Sequence, residues 1–347
     1  MSYKQLTNPN AGQTIRSCAF CILFICSGLS KHVEAQQTAS AVESKQLAPL
    51  VLPGKGAEQF DFFYAGESKA RNMYIVRNGK VTWSYSDTTG KGEISDAVLM
   101  GNGNVLFAHQ FGVTLINRDK KVLWNYDAPD GFEVHTAQPI GNGHVVFVQN
   151  GNPAKVFVIN IRTNKVEKEF SIPFKSTTHG QIRHARLTQR GTLLVAHMDL
   201  GKVCEYDIDG NQLSSIDVPG VWSAVPLKNG NILVTSNLGF VKEMTSAGDS
   251  VWNCSLKDIQ GYTINNPQLA LRLSNGNTLI NNWFNQWGNT FDPANAPVQA
   301  IEITPEKKIV WALRSWIAPL NLGPSTTIQI LNDANNITEG VCFGNIK

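Results

Sequence analysis

The sequence feature that most constrains the fold is a repeated unit, of which residues 221–254 are the clearest copy. Its four short runs, SAVPL, ILVTS, FVKEM and SVWNC, are rich in β-branched and aromatic side chains. The breaks between these runs contain Gly, Asn, Asp and Ser, which suit tight turns. The unit therefore predicts a four-stranded antiparallel meander.

The turn between the first two runs recurs along the chain, in most copies as a Gly- and Asn-rich tetrapeptide. It reads GNGN, GNGH, QRGT, KNGN and SNGN at residues 101–104, 141–144, 189–192, 228–231 and 274–277. Successive copies are 39 to 48 residues apart. Four strands repeated at this spacing are typical of the blades of a β-propeller.

The repeat predicts five complete blades and a sixth blade shared by the two ends of the chain. The complete blades are expected at residues 94–127, 134–172, 182–218, 221–256 and 266–314. The sixth combines strands near residues 60–86 with a last strand at 325–333. We therefore predict an all-β fold over residues 58–333, a six-bladed β-propeller of four-stranded antiparallel blades, whose ring is closed by the N- and C-terminal strands.

Residues 1–35 have the pattern of a secretory signal peptide. Lys4 and Arg16 precede the apolar run at 18–26, and small side chains occur at Ala35, where we expect cleavage. The run is too short to span a bilayer as a helix. No transmembrane segment is therefore expected in the mature chain, and the expected location is secreted or periplasmic.

A lipoprotein signal with Cys26 as the modified residue is the competing interpretation, but the preceding residue is the bulky Ile25. After the signal, residues 36–57 are expected to form a polar lead-in linker. Residues 334–347 follow the last predicted strand as a C-terminal tail with no strand placed in it.

Charge and cysteine content narrow the functional classes. The net charge of +3, without a basic stripe, argues against a nucleic-acid partner. Beyond the signal peptide the chain has Cys204, Cys254 and Cys342, an odd number at spacings that do not suit a metal site. We expect the first two to be buried free thiols.

The sequence resembles the secreted bacterial β-propellers with PQQ-like repeats and the related six-bladed arylsulfotransferase-like propellers. The resemblance is carried by the NGN turns, by the Trp that ends NGKVTW (78–83) and RDKKVLW (118–124), and by LGPSTTIQILND (322–333). It covers nearly all of residues 58–333 and implies the same propeller architecture.

The resemblance also bears on cofactors. Quinone-dependent relatives have a vicinal disulfide and a calcium site, and this chain has no adjacent Cys pair, so PQQ is not expected. Arylsulfotransferase-like propellers pass a sulfuryl group through a His, but no local motif here points to one position. The resemblance therefore implies that a His would carry the sulfuryl group, without identifying which His.

The histidines are expected to gather on one face of the propeller. His135 and His184 start innermost strands, His179 immediately precedes one, and His109 and His197 end second strands. All five positions belong to the face that carries the blade-to-blade links, whereas His144 lies on a turn of the other face.

Imidazole transfers protons near neutral pH and also binds metals. We therefore predict His135 and His184 as catalytic proton-transfer residues and Arg183 as an anion clamp. A divalent metal held by these histidines with His109 or His197 is an open alternative, and the metal content is unknown. Each histidine alone also has a structural interpretation, the satisfaction of a neighbouring blade's backbone.

Further residues at the same mouth are suited to a sugar. Flat aromatic rings stack on sugars, amides hydrogen-bond to hydroxyls, and Arg binds carboxylate or sulfate. Glu67 and Glu133 are expected at this mouth as well. The predicted substrate-binding residues are His109, His197, His179, Trp222, Gln268, Trp283, Gln286, Trp287 and Arg71.

The leading hypothesis is a secreted propeller that binds an acidic or polyhydroxylated carbohydrate at a His-, Arg- and Trp-lined channel mouth. Cleavage by a lyase or hydrolase reaction is its catalytic form, and whether the chain is an enzyme stays open. The alternatives are a non-catalytic module that binds a protein or cell-wall partner, and sulfuryl transfer through a His.

Overall fold

A computed structural model gives the three-dimensional structure of the protein. It describes residues 52–67, 71–88, 90–259, 261–262, 264, 266–284, 296–318, 320–336 and 341–347. The predicted signal peptide, most of the lead-in linker, Gln286 and Trp287 lie outside the described residues.

The described residues form 24 strands in six four-stranded antiparallel sheets. Five sheets are built from consecutive strands, and the sixth joins the two ends of the chain. This arrangement confirms the predicted six-bladed β-propeller. No helix among the described residues is long and apolar enough to cross a membrane.

Blades 1 to 3 follow one another along the chain, each running from the innermost to the outermost strand. Blade 1 comprises β4 (Asp96–Leu99), β5 (Val105–Ala108), β6 (Gly112–Ile116) and β7 (Val122–Asp127). Blade 2 comprises β8 (Glu133–Ile140), β9 (His144–Asn150), β10 (Ala154–Asn160) and β11 (Lys165–Ile172). Blade 3 comprises β12 (Ile182–Leu187), β13 (Leu193–His197), β14 (Lys202–Tyr206) and β15 (Gln212–Asp217).

Blades 4 and 5 continue the series, and blade 6 closes it. Blade 4 comprises β16 (Val221–Pro226), β17 (Ile232–Ser236), β18 (Phe240–Met244) and β19 (Ser250–Ser255). Blade 5 comprises β20 (Asn266–Arg272), β21 (Thr278–Trp283), β22 (Ala300–Ile303) and β23 (Ile309–Leu313). Blade 6 has the order β24 (Thr327–Ile330), β1 (Phe62–Ala65), β2 (Met73–Arg77) and β3 (Lys80–Tyr85).

The hydrophobic core lies between neighbouring blades. Leu106 and Val113 of blade 1, for example, belong to one buried cluster with Phe147 and Phe157 of blade 2. Burial decreases from the inner strands to the outer strands. In blade 1, all residues of β5 are buried, whereas most of β7 is exposed. Each blade therefore needs both neighbours to cover its two apolar faces.

The blades give the ring two distinct faces. All six innermost strands start on the face that carries the blade-to-blade links and the second-to-third-strand loops, here called the upper face. They end on the lower face, where the first-to-second-strand turns lie. The upper mouth of the central channel is thus surrounded by the starts of the six innermost strands.

The C-terminal tail packs against the lower face. Asp333, which precedes the tail, accepts hydrogen bonds from Ser274 of blade 5, and the Ala334 carbonyl of the tail accepts one from Lys228 of blade 4. Further on, Phe343 is completely buried in the cluster between blades 2 and 3, and Gly344 donates to the Gly191 carbonyl. The tail therefore ties together blades that are distant in sequence.

We predict that the tail contributes substantially to stability. Phe343→Ala should lower the free energy of unfolding by about 3–5 kcal/mol, the usual cost of emptying a buried phenylalanine site. Urea denaturation measures the change. The matched control is Phe111→Ala on the exposed upper face, which should cost less than about 1 kcal/mol. Equal losses in the two variants would contradict a structural role for the tail.

Candidate functional site

The same backbone irregularity occurs at the start of four innermost strands. In β8, β12, β16 and β20 the pairing with the second strand skips one residue, which is a β-bulge. Bulges redirect a side chain and are frequent beside active sites. The skipped residues are His135, Arg183, Trp222 and Gln268.

These four residues were all predicted as site residues from the sequence. The bulges put them at equivalent positions of four consecutive blades, around the upper mouth of the channel. In the other two blades, Ser95 and Thr326 immediately precede β4 and β24, and their backbone N–H groups bond to the carbonyls of Ala108 and Ala65. The six positions together form a ring of polar side chains and one tryptophan.

Glu133 is the acceptor at the centre of a hydrogen-bond network on this ring. Its Oε2 lies 2.8 Å from His135 Nε2 and 2.9 Å from His179 Nδ1, and its Oε1 accepts from Gln110 Nε2 at 2.9 Å. Burial would raise the pKa of Glu133, but these hydrogen bonds outweigh it and hold the pKa well below its usual range. Glu133 is therefore a carboxylate.

Arg183 bonds to the opposite edges of both imidazoles. Its Nη1 lies 3.1 Å from His135 Nδ1, and its Nη2 lies 2.5 Å from His179 Nε2. A guanidinium only donates hydrogen bonds, so each ring accepts on this side and carries its proton on the Glu133 side. Burial, followed by the charge of Arg183, lowers the pKa of His135 to about 4, so this ring is neutral at neutral pH.

Two further carboxyl groups lie next to Arg183. Glu93 accepts from Arg183 Nη1 at 2.6 Å; burial would raise the pKa of Glu93, but the guanidinium charge outweighs it and the pKa is lowered. Glu67 is 4% exposed, hydrogen-bonds to Glu93 and accepts from Trp283 Nε1 at 2.6 Å. Burial, together with the charge of Glu93, raises the pKa of Glu67 to about 8. The site thus holds a protonated carboxyl beside a carboxylate.

Glu133, His135 and His179 are also a candidate metal-ligand group, since their ligand atoms lie within 4.8 Å of one another. The hydrogen bonds test this possibility. A metal on the Glu133 side of the rings would move each ring proton to the opposite nitrogen, where it would face the N–H groups of Arg183. The network therefore fits proton transfer better than cation binding.

Three polar atoms at the bulged positions have no hydrogen-bond partner among the described residues. They are Arg183 Nε, Trp222 Nε1 and Gln268 Oε1, all of them buried. The Trp222 ring also lies against Trp283, with 5.5 Å between ring centroids. Two donors and one acceptor at the bulged positions are thus left unsatisfied, beside a pair of indoles.

His184 and His197 do not join the Glu133 network. His184 follows the bulge, so its ring is buried and makes no hydrogen bond of normal geometry among the described residues. Burial lowers its pKa to about 3, although Asp96 and the Ala224 backbone favour the charged ring. His197 bonds to Tyr206 Oη at 3.0 Å inside blade 3, and burial lowers its pKa to about 4.

Arg71 and His109 lie beside the channel mouth, in a groove between blades 6 and 1. The Arg71 side chain is buried, lies 3.2 Å from the Asp87 carboxylate and also bonds to the Asp87 carbonyl. Burial lowers the pKa of His109. The remaining two predicted residues, Gln286 and Trp287, fall outside the described part of the chain.

Sequence reasoning did not identify Glu93 or Ser95. The repeat nevertheless contains a sequence signal for them. Glu93-Ile94-Ser95 precedes β4 in the same way that Glu133-Val134-His135 begins β8. In both cases the third residue is the one that faces the channel mouth. The hydrogen bond of 2.9 Å between Ser95 Oγ and His135 Nδ1 connects the two copies.

We predict that the buried imidazoles make the fold acid-sensitive. The pKa of His184 is depressed from 6.5 to about 3, so below pH 6.5 the unfolded chain binds a proton that the folded chain excludes. The free energy of unfolding therefore falls as the pH falls through this window. In urea titrations at pH 7 and pH 5, His184→Leu should lose less stability than the unmodified protein; equal losses would contradict this explanation.

Comparisons with known proteins show the fold and no family. No family profile and no curated protein matches the sequence. A Bacteroides caccae protein of unknown function is 25% identical with a TM-score of 0.67, over 78% of this chain and 98% of that one. A catalytically inactive His-to-Ala variant of Staphylococcus aureus virginiamycin B lyase, solved with quinupristin, is 13% identical with a TM-score of 0.51, over 76% and 87%.

The WD40 propeller domain of Doa1 is 14% identical with a TM-score of 0.50, over 63% of this chain and 70% of that one. What these neighbours share with the chain is the β-propeller. The finer resemblance to PQQ-like and arylsulfotransferase-like propellers stays a prediction. The chain is therefore a β-propeller.

Proposed function

We propose that this propeller binds a sugar acid, or a carbohydrate that carries one, at the upper channel mouth and cleaves it by β-elimination. The observation that carries the proposal is the shared hydrogen-bond network of Arg183, two imidazoles and Glu133 at bulged or adjoining positions. The network places an anion-binding group, the Arg183 guanidinium, in direct contact with a base, an imidazole.

Binding of a carboxylate is supported by Arg183. The guanidinium fork suits a carboxylate, and its Nε has no hydrogen-bond partner among the described residues. Trp222 Nε1 and Gln268 Oε1 offer a donor and an acceptor for hydroxyl groups. The paired rings of Trp222 and Trp283 provide apolar faces for a sugar ring.

His179 is the residue best placed to act as the base. Its side chain is 53% exposed, whereas that of His135 is fully buried. When a ligand carboxylate pairs with Arg183, His179 Nε2 loses its donor and is free to accept a proton. Glu133 holds the other ring nitrogen at 2.9 Å and stabilises the imidazolium that forms.

In this mechanism the base removes the proton from the carbon next to the carboxylate. The C–H electron pair forms a carbon–carbon double bond, and the bond from the neighbouring carbon to the glycosidic oxygen breaks. The protonated carboxyl of Glu67 supplies the proton to the leaving oxygen. The products are an unsaturated sugar acid and a free hydroxyl, and no water or other co-reactant is consumed.

In this proposal the three residues predicted as catalytic have different roles. Arg183 keeps the role of anion clamp, and His135 becomes a positioning residue that fixes Glu133 from a buried site. His184 has no part in the reaction, because its ring is one layer below the mouth. The virginiamycin B lyase among the structural neighbours is a lyase with this fold, but at 13% identity the likeness concerns the fold alone.

We also propose secretion, on the pattern of residues 1–35. A secreted or periplasmic location would bring the site into contact with extracellular polysaccharides. N-terminal sequencing of the mature chain tests this point independently of the reaction.

The reaction is tested by mass spectrometry of products from uronate-containing, neutral and sulfated oligosaccharides, with and without chelator. We expect unsaturated fragments from uronate substrates only. Added water would indicate a hydrolase and a moved sulfate a transferase. Activity lost with chelator would indicate a cation at Glu133, His135 and His179 in place of the proton network. An unchanged panel would contradict catalysis and favour the non-catalytic interaction module.

We predict that His179→Gln lowers the rate by about 100-fold or more, the usual contribution of a general base. Arg183→Lys should raise KM strongly, because an ammonium cannot form the bidentate pair with a carboxylate. The matched control is His144→Gln, which changes a histidine on the lower face and should leave both the rate and KM unchanged. Full activity in His179→Gln would remove this residue from the mechanism.

The pH dependence gives a separate prediction. Since the pKa of Glu67 is about 8, its acid form is lost and the rate should fall as the pH rises through this value. Glu67→Gln should lower the rate and abolish this alkaline limb. The Trp283 hydrogen bond favours the carboxylate form of Glu67, so Trp283→Phe should move the limb to higher pH. A limb unchanged in both variants would exclude Glu67 as the acid.

A further inference from the structure

The groove between blades 6 and 1 is a second concave surface on the upper face, here called the side groove. Its volume is about 830 Å³, within the range of sites that hold drug-sized ligands. Tyr85 and Asp87 of blade 6 form one wall. Phe107, His109 and Phe111, from blade 1, form the other wall.

Five aromatic rings line the side groove, four of them hydrocarbon or phenol rings and one an imidazole. The ring centroids of Tyr85 and Phe107 are 5.5 Å apart, and those of Phe107 and His109 are 5.9 Å apart. Phe111 stands at the rim with 41% of its surface exposed, and Phe132 lies at the end nearest the channel mouth. Such rings offer flat apolar faces to a ligand that passes along them.

The polar groups of the side groove do not favour an anion. Its arginine, Arg71, is buried and paired with Asp87, so it is not available to a ligand. Asp127 and Asp130 add exposed carboxylates, and Lys91 is the other cation of the lining. Carboxylates beside aromatic faces suit a neutral sugar, because its hydroxyl groups donate to the carboxylates and its C–H face stacks on the rings.

The side groove adjoins the channel mouth. Gln110, between His109 and Phe111, donates to Glu133, and Phe132 directly precedes Glu133. On the floor, Arg71 bonds to the carbonyl of Gly92, the residue before Glu93. The groove and the mouth therefore share a wall, and a ligand longer than the mouth would reach the groove across it.

We infer that the side groove is a subsite for neutral, polyhydroxylated sugar units adjoining the acidic unit at the channel mouth. This inference rests on the proposed function and names its substrate class as an oligosaccharide, with one acidic unit at Arg183 and neutral units along the aromatic wall. A free sugar acid would fill only part of the combined site.

The test measures binding of neutral oligosaccharides, from mono- to hexasaccharides of the cello-, xylo-, manno- and chito-series, by isothermal titration calorimetry. Affinity should rise with length in at least one series. Phe111→Ala should weaken the longest member about tenfold, the worth of one aromatic stacking contact. Leu238→Ala is the matched control, because Leu238 occupies the corresponding second-to-third-strand loop of blade 4 and is 62% exposed.

The outcomes separate this inference from the proposed function. Arg183→Ala should abolish binding of sugar acids and leave the neutral series unchanged. Binding of sugar acids without any binding of neutral oligosaccharides would overturn the groove and leave the mouth intact. Equal effects of Phe111→Ala and Leu238→Ala would also overturn it. Binding of a lysine-rich peptide in the groove that no sugar competes with would overturn it as well.

Discussion

Closure of the ring is the constraint on which the rest of the structure depends. The last strand, β24, pairs with β1 over four residues, from Phe62 opposite Ile330 to Ala65 opposite Thr327. Without this pairing the innermost strand of blade 6 would be missing, and blades 1 and 5 would each lose a neighbour that covers apolar surface. Closure also fixes six strand starts around one axis, and this common origin makes a convergent site possible.

The site arises from a small departure from the repeat. In four blades one extra residue at the start of the innermost strand escapes pairing, and the blades place four different residues there. The backbone irregularity is the same in each case, so the scaffold is common and the side chains differ. The bulge thus separates what the fold requires, a paired strand, from what the chemistry uses, an imidazole, a guanidinium, an indole and an amide.

The sequence predicted the repeat well because turn chemistry and strand patterning are local. It also placed His135, Arg183, Trp222 and Gln268 at the starts of innermost strands, because this position is readable from the repeat. It did not separate Arg183 from His184, because one bulge decides which of two consecutive side chains faces the mouth. The bond between Glu67 and Trp283 joins residues more than two hundred positions apart, and no local pattern encodes it.

Two layers of buried charge at the top of the channel differ in how well they are satisfied. In the lower layer, Arg186 pairs bidentately with Asp96 at 2.7 Å for both contacts, and Thr136 and the Ala137 backbone complete the carboxylate. In the upper layer, Arg183 leaves Nε without a partner among the described residues, beside the Glu67 carboxyl, which burial and then the charge of Glu93 keep protonated. Buried charges cost stability unless fully paired. The lower layer is explained by folding alone, whereas the upper layer leaves one buried N–H unsatisfied, a cost that the proposed ligand would offset.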